Sequence, residues 1–289
     1  MIRFCSSQFV HSRDPLARTR ALCRAEIIAS LVLTSAFSAA CSGRGDTTSV
    51  APKSGSASAA ERSTIPAASP TTSVLLFKGT GASPNDVSAV ETVLSGNHFD
   101  YSTVSSSQLN EMSELQIRQY RLFIVPGGNF IDIGNSLTSG TTANIRTAVH
   151  NGLNYLGICA GGFFAGDSGY NGLNLTSGVR FGFYAAEARG IRKAAVAIAG
   201  VGTPTLDQYW EDGPQFTGWG AVVGKYPDGT PAIVEGTFGS GWVVLAGFHP
   251  EAPASWRHGL TFTTPVNVDN AYAGTLVRAA LNRESLSPH

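Results

Sequence analysis

One cysteine is the residue best placed to act as a nucleophile. Cys159 lies in the run Gly157-Ile158-Cys159-Ala160-Gly161, which has the form G-x-C-x-G. The serine version of this pattern is the nucleophile elbow, a sharp strand-to-helix turn that exposes the side chain at its tip. The elbow glycines, Gly157 and Gly161, let neighbouring backbone approach closely. The dipole of the following helix is expected to favour the thiolate of Cys159.

A histidine and a glutamate elsewhere in the chain could complete the chemistry. His249 and Glu251 are separated only by Pro250, and alternate residues of an extended chain share a face. His249 could take the proton of Cys159 while Glu251 orients the imidazole and stabilises its cation. A lone histidine is more often structural, and it is the coincidence with an elbow cysteine that favours catalysis.

Backbone N–H groups near the cysteine could stabilise an oxyanion. The N–H of Ala160 follows the nucleophile directly, and a second donor could come from Gly127 or Gly128, at the end of a neighbouring predicted strand. The chain has no HExxH, CxxC or carboxylate cluster, so neither a metal nor another cofactor is predicted.

Alternating strands and helices are predicted to position these groups. The apolar runs Val74–Phe77, Leu122–Val125 and 153–158 are typical of strands buried on both faces in a parallel sheet. Helices between them predict a doubly wound α/β fold, in which ligands bind beyond the carboxyl ends of the strands. Cys159 and Gly127 both fall at such ends.

Capping residues predict where the flanking helices begin. Ser83 is the expected N-cap of a helix that starts at Pro84, carries Asp86 in its first turn and ends at Gly96. Asn270 is expected to cap a last helix over about residues 271–284.

The second half of the chain carries turn signals instead. Residues 221–226 and 231–235 predict a β-hairpin, and residues 242–246 predict a strand that ends just before His249. No second core and no internal repeat is recognised, so residues 73–289 are predicted to form a single α/β domain.

The first seventy residues are predicted to form a signal for export followed by a tether. Residues 1–40 combine scattered arginines, an apolar stretch and small residues, as in a signal peptide. Cys41 follows directly and resembles a lipoprotein lipobox, although Ser38 stands where leucine is usual; ordinary cleavage stays open. Residues 41–72, rich in Ser, Ala, Thr and Pro, are predicted to be a disordered tether. We therefore expect an exported protein, either a membrane-anchored lipoprotein or periplasmic or extracellular.

Composition excludes several partners. The 289 residues have a formal net charge of zero, and only 14% of them are charged. The chain therefore has no excess of positive charge that would attract nucleic acid. Membrane contact is expected only through a lipid on Cys41. Four cysteines are too few for a disulfide framework, and 43% hydrophobic residues are too many for wholesale disorder.

The motifs together resemble a known group of proteins. Residues 155–162 with 249–251 resemble the class I glutamine amidotransferase-like superfamily, and most closely the domain at the amino terminus of some biotin–protein ligases. Residues 126–128, 209–216 and 231–245 extend the resemblance.

The resemblance implies a fold and roles for several residues. The fold is a flavodoxin-like, mostly parallel sheet with helices on both faces, here with a β-hairpin extension in the C-terminal half. The site is a Cys-His-Glu triad, which falls on Cys159, His249 and Glu251. The implied oxyanion donors are Gly128 and Ala160, and the implied pocket lining is the loop of Gly213 and Pro214.

The leading functional prediction is hydrolysis of a C–N bond in a small-molecule or peptide amide, through a thioester on Cys159. No biotin ligase or synthetase domain is recognised, so biotin transfer and glutamine-driven biosynthesis are not expected. A non-catalytic binding module of the cell envelope is the alternative, with a pocket floored by aromatic residues, namely Phe163, Phe164, Tyr209 and Trp210. A redox or stress function, with Cys159 oxidised, is disfavoured by the His-Pro-Glu motif.

Overall fold

The computed structural model describes residues 72–201 and 205–286. The predicted signal peptide (1–40), Cys41 and the predicted tether up to residue 71 lie outside the described residues, so the proposed division of the chain stays a prediction. Among the described residues, no helix is both long and apolar enough to span a bilayer.

The strands follow the predicted apolar runs closely. In chain order they are β1 (Val74–Phe77), β2 (Tyr101–Val104), β3 (Leu122–Val125), β4 (Asn154–Ile158), β5 (Gly182–Phe183), β6 (Lys193–Ile198), β7 (Leu206–Glu211), β8 (Pro214–Gln215), β9 (Ala221–Lys225), β10 (Pro231–Phe238) and β11 (Gly241–Ala246). The residues of β1, β3 and β4 are buried throughout, as expected for strands covered on both faces.

Seven strands form the main sheet, in the order β2-β1-β3-β4-β11-β10-β9. The first five are parallel to one another, and β10 and β9 add an antiparallel extension. The parallel part has the 2-1-3-4-5 order of flavodoxin-like folds, with β11 as the fifth strand. The predicted fold class is therefore confirmed, including its hairpin extension. Two further pairs, β6 with β7 and β5 with β8, lie outside this sheet.

Helices cover both faces of the sheet. They are α1 (Pro84–Gly96), α2 (Ser106–Glu111), α3 (Glu114–Ile117), α4 (Phe130–Asn135), α5 (Ser139–His150), α6 (Ala160–Ala165), α7 (Ala185–Ala188) and α8 (Val266–Asn282). Alternate residues of β1 serve opposite faces: Val74 and Leu76 pack in one core cluster with α1 and α8, while Leu75 and Phe77 pack in the other with α5. This alternation is the normal geometry of a strand.

The predicted cap of the last helix was wrong. The helix begins at Val266, with Pro265 as its N-cap residue. Asn270 lies inside it, and its amide donates to the carbonyl oxygens of Pro250 and Ala252. These bonds tie α8 to the loop after His249, which local sequence could not indicate. At the first helix, by contrast, the predicted N-cap Ser83 accepts from the backbone of Asp86.

Candidate active site

Cys159 lies on a sharp turn between β4 and α6. Its backbone angles are φ 48° and ψ −105°, a region that non-glycine residues rarely adopt and that often marks functional sites. A Cβ atom added at Gly161 would lie 2.0 Å from the carbonyl oxygen of Val125, and one at Gly157 would lie 2.5 Å from that of Gly161. The elbow glycines thus allow β3, β4 and α6 to meet closely.

His249 and Glu251 lie in the turn that follows β11. The His249 N–H donates to the carbonyl of Tyr209 at 2.8 Å, which joins this turn to β7. Nδ1 of His249 lies 3.0 Å from Oε1 of Glu251, and both side chains are buried. Nδ1 is thereby engaged, which leaves Nε2 for the thiol of Cys159. The sequence placed these two side chains on one face correctly, and the structure adds that they form a direct pair.

A second carboxylate, on Asp86, contacts the same imidazole. Its Oδ1 lies 3.0 Å from Nδ1 of His249, and the residue is 7% exposed. Sequence reasoning assigned Asp86 only to the first turn of α1 and missed this contact. The available signal was its position just after the carboxyl end of β1, where ligand sites of such sheets lie.

The thiol of Cys159 is enclosed. The residue is 5% exposed, and Sγ contacts the carbonyl oxygen of Glu211 at 3.5 Å. Burial raises the pKa of the thiol above its ordinary value, and the negative charges of Asp86 and Glu251 act in the same direction. The charge and hydrogen bonding of His249 oppose this without reversing it. The expected thiolate-favouring shift was therefore wrong: burial and the two carboxylates raise the pKa of the thiol by more than His249 lowers it.

The pKa values of His249 and of its carboxylate partner Glu251 are also shifted. Burial alone would lower the pKa of His249, but the charges of Cys159, Asp86 and Glu251 raise it well above its ordinary value. Burial raises the pKa of the Glu251 carboxyl, and the nearby His249 only partly offsets this. A buried imidazole that faces two carboxylates is best stabilised as its cation.

Unused backbone donors lie at the predicted oxyanion positions. Within the described part of the chain, the N–H groups of Gly127, Gly128 and Ala160 donate to no backbone or side-chain acceptor. Gly128 has φ 143°, which only glycine adopts readily. Gly127 also makes room for the charged cluster, because a Cβ there would lie 2.0 Å from Oδ1 of Asp86 and 2.6 Å from Cε1 of His249.

Of the predicted pocket residues, Tyr209 borders the site. Its ring centroid lies 5.8 Å from that of His249, and its hydroxyl donates to Glu211 at 2.6 Å. Gly213 packs against the backbone just before His249, since a Cβ there would lie 1.9 Å from the carbonyl oxygen of Gly247. The carbonyl of Pro214 accepts from the hydroxyl of Tyr226 at 2.9 Å.

The prediction that Phe163 lines this pocket was wrong. Its ring stacks on Phe130 with centroids 4.7 Å apart and also contacts Phe183. It belongs to the core cluster on the opposite side of the sheet from Cys159. The reason is the course of α6, which carries residue 163 away from the elbow and towards α4.

A groove of about 620 Å³ lies between α1, α8 and the turn Ala254–Arg257. Glu251 and Trp256 are among its lining residues, and Cys159 is not. The groove therefore reaches the site at Glu251 and not at the thiol of Cys159.

Donor atoms of Asp86, His249 and Glu251 lie within 4.8 Å of one another, so these side chains could also hold a cation. The sequence shows no metal motif, and the grouping exists only because three separate segments meet. Separations of 3.0 Å are ordinary for an imidazole paired with carboxylates. Pairing with the imidazole accounts for the cluster without a metal.

A known family matches the first part of the described chain. Residues 72–192 match the family model "Biotin-protein ligase, N terminal". The match confirms the resemblance drawn from the motifs, and it includes Asp86, Gly127, Gly128 and the Cys159 elbow. It ends before His249, so the assignment of the histidine and glutamate depends on the geometry above.

The chain is also similar to several solved structures. The chain is similar to a glutamine amidotransferase at 19% identity and TM-score 0.49, covering 62% of this chain and 90% of that one. A glutamine amidotransferase from Thermotoga maritima gives 12% identity and TM-score 0.43, covering 74% and 97%. PurLQS from Thermotoga maritima gives 16% identity and TM-score 0.45, covering 72% and 98%. No curated protein matches the chain.

Proposed function

We propose that this protein is an exported, lipid-anchored hydrolase of amidotransferase type that cleaves a C–N bond in an amide. One observation carries the proposal: a cysteine on a positive-φ elbow lies within the electrostatic influence of a buried histidine, and Nδ1 of that histidine is held by a glutamate at 3.0 Å. The substrate class is a small-molecule or peptide amide, because a thiol nucleophile with oxyanion donors suits an acyl carbon.

The reaction runs in two halves. The step starts from the neutral ring of His249, whose free Nε2 accepts the proton of the Cys159 thiol, and the sulfur attacks the amide carbonyl carbon to form a C–S bond while the carbonyl π electrons move to oxygen. The C–N bond then breaks, its electron pair stays on nitrogen, and the imidazolium returns the proton to the leaving amine. Water next attacks the thioester while His249 accepts its proton; the C–S bond breaks and the thiol is restored.

Each half needs a different part of the site. The developing oxyanion would accept from the N–H groups of Ala160 and Gly127 or Gly128. The two carboxylates stabilise His249 while it carries the extra proton. The raised pKa of the thiol favours its protonated form in the resting enzyme, so the attacking step requires a neutral His249 to take the proton.

The test is capture of the acyl-enzyme by the full chain. The protein is incubated with a library of simple amides and peptide amides, quenched in acid and examined by intact mass and peptide mapping. We expect an acyl adduct on the Cys159 peptide together with release of the amine. Peptide mapping separates Cys159 from any cysteine that the purified protein retains in its N-terminal segment, and such a cysteine should carry no acyl adduct from the amide.

Two variants give the control. Cys159→Ala should abolish both adduct and amine release, and Glu251→Gln should slow both steps without unfolding the chain. Amine release that persists in Cys159→Ala, or no adduct on wild type with any amide, contradicts the proposed activity.

Lipid anchoring is a separate part of the proposal, supported by the small residues before Cys41. Metabolic labelling with a fatty acid in a bacterial host should mark the mature protein. Cys41→Ser should lose the label and appear in the soluble fraction, whereas Cys159→Ala should keep it. Unlabelled wild-type protein released from the membrane would contradict anchoring and leave secretion.

The enclosed thiol favours a second candidate, a non-catalytic binding module of the cell envelope. Its support is the 5% exposure of both Cys159 and His249. This candidate predicts that amides or peptides stabilise the protein against heat without amine release, and that Cys159→Ala binds them equally well.

A further inference from the structure

Nδ1 of His249 faces two acceptors. It is bonded to Oε1 of Glu251 at 3.0 Å, and Oδ1 of Asp86 lies at the same distance. One imidazole nitrogen carries one hydrogen, and Asp86 Oδ1 makes no hydrogen bond among the described residues. A buried carboxylate oxygen without a hydrogen bond is costly, so its place beside the ring requires an explanation.

The surroundings of Asp86 hold it against the ring. Ser83 caps α1 and accepts from the Asp86 backbone, and Pro84 opens the helix, so the first turn is well defined. Gly127 supplies the space on the other side, where any side chain would collide with both Asp86 and His249. Three segments distant in sequence thus converge to bring a second carboxylate to Nδ1.

We propose that Asp86 is a positioning residue that shares His249 with Glu251 and stabilises its imidazolium form. The inference deepens the proposed function, on which it rests for its catalytic meaning. The groups that face His249 are Asp86 from α1, Glu251 from its own turn, Cys159 from the elbow and Tyr209 from β7. Of these, only the two carboxylates can balance the charge of the imidazolium while Cys159 is in its neutral thiol form.

With two carboxylates beside one ring, Asp86 and Glu251 can partly replace each other as partners of His249. Either carboxylate alone would keep the ring oriented and charged, and loss of both would leave a buried imidazole without a negative partner. A burial penalty would then dominate and favour the neutral ring. The charge of Cys159 is the largest of the causes that raise the pKa of His249, and the charges of Asp86 and Glu251 raise it further.

The test follows the imidazole directly in the full chain. Nitrogen NMR of protein labelled at histidine, with the His249 signal identified by its absence in His249→Gln, gives the protonation state against pH. We expect the titration midpoint to fall by about one pH unit or more in Asp86→Asn, as for loss of one nearby opposite charge. Glu251→Gln should keep a charged ring at neutral pH, and the double variant should lose it.

Controls separate positioning from general stability. Asp132 also lies in the first turn of a helix but is exposed, so Asp132→Asn should leave the His249 titration unchanged. If Asp86→Asn does not fold, Asp86→Ser, which is neutral and shorter, provides the same measurement. An unchanged midpoint in the folded Asp86 variant, or full loss of the charged ring in Glu251→Gln alone, overturns the inference.

Metal analysis gives the remaining decisive outcome. Stoichiometric divalent metal in the purified wild-type chain that is lost from Asp86→Asn would overturn the inference in favour of a cation site. The titration needs no substrate, so a shifted midpoint without amine release would contradict the proposed hydrolase but not the pairing. Amine release with an unshifted midpoint would contradict the pairing of Asp86 with His249 but not the proposed hydrolase.

Discussion

At the scale of the residue, protonation is the property that matters most. Cys159, His249 and Glu251 are all buried, and folding raises the pKa of each. For the thiol and the carboxyl the first cause is burial, whereas for the imidazole the neighbouring negative charges overcome burial. The native state therefore holds protons that the unfolded chain would release.

This difference predicts a pH dependence of stability. His249 has a higher pKa when folded, so its contribution is complete below its ordinary pKa of 6.5 and is lost as pH rises through the folded value. The free energy of unfolding should fall between pH 6.5 and the higher folded pKa of His249, with a slope of up to about 1.4 kcal/mol per pH unit from one group. The raised pKa values of Cys159 and Glu251 act in the same direction.

Urea denaturation at a series of pH values measures this dependence. The slope should be smaller in His249→Gln than in His258→Gln, because His258 is exposed. Equal slopes in the two variants would show that folding leaves the His249 pKa unshifted.

At the scale of the element, the site depends on how closely β3, β4 and α6 meet. Val125 ends β3, and its carbonyl oxygen lies where a side chain at residue 161 would begin. The strained backbone of Cys159 is held by this packing and by its N–H, which donates to the carbonyl of Ala246 in β11 at 2.8 Å. Strain of this kind persists only where surrounding structure enforces it.

Gly161→Ala tests this close approach. We expect the free energy of unfolding to fall by about 1–3 kcal/mol, the usual cost of forcing atoms into a packed site. Gly96→Ala is the matched control: no atom lies within 4 Å of a Cβ there, and the residue ends α1. It should be neutral or slightly stabilising. A Gly161→Ala variant as stable as wild type would show that a side chain at residue 161 fits beside the backbone of Val125.

At the scale of the whole molecule, the site is closed. Tyr184 and Tyr226 stack with centroids 3.9 Å apart in the same core cluster as Cys159, and the backbone of Glu211 lies against the sulfur. The segments that carry these residues lie outside the parallel sheet or in its antiparallel extension. An amide can reach the thiol only if part of this covering moves.

The closed site predicts slow alkylation of Cys159. The rate with iodoacetamide at neutral pH should be far lower in the native chain than in urea, by about tenfold for each pH unit by which folding raises the thiol pKa, and further through burial. Peptide mapping follows Cys159 alone. Equal rates in the two states would indicate that the thiol is open to solvent.

Much of this architecture was predictable because its signals are local. Continuous apolar runs identified β1, β3 and β4, turn residues identified the β9–β10 hairpin, and Ser83 with Pro84 identified the start of α1. The G-x-C-x-G pattern placed Cys159 on its turn, since the glycines that permit close packing are visible in the sequence. Short spacing likewise paired His249 with Glu251.

Only the tertiary structure decided how these groups behave. The contact of Asp86 with His249, the turn of Phe163 away from the elbow and the role of Asn270 inside α8 all join segments far apart in the chain. The pKa of Cys159 depends on burial by β7 and the Tyr184–Tyr226 pair, which no local pattern encodes. Local spacing determines which side chains can react, and long-range packing determines their charge and access, because electrostatic energy depends on distance and burial in space.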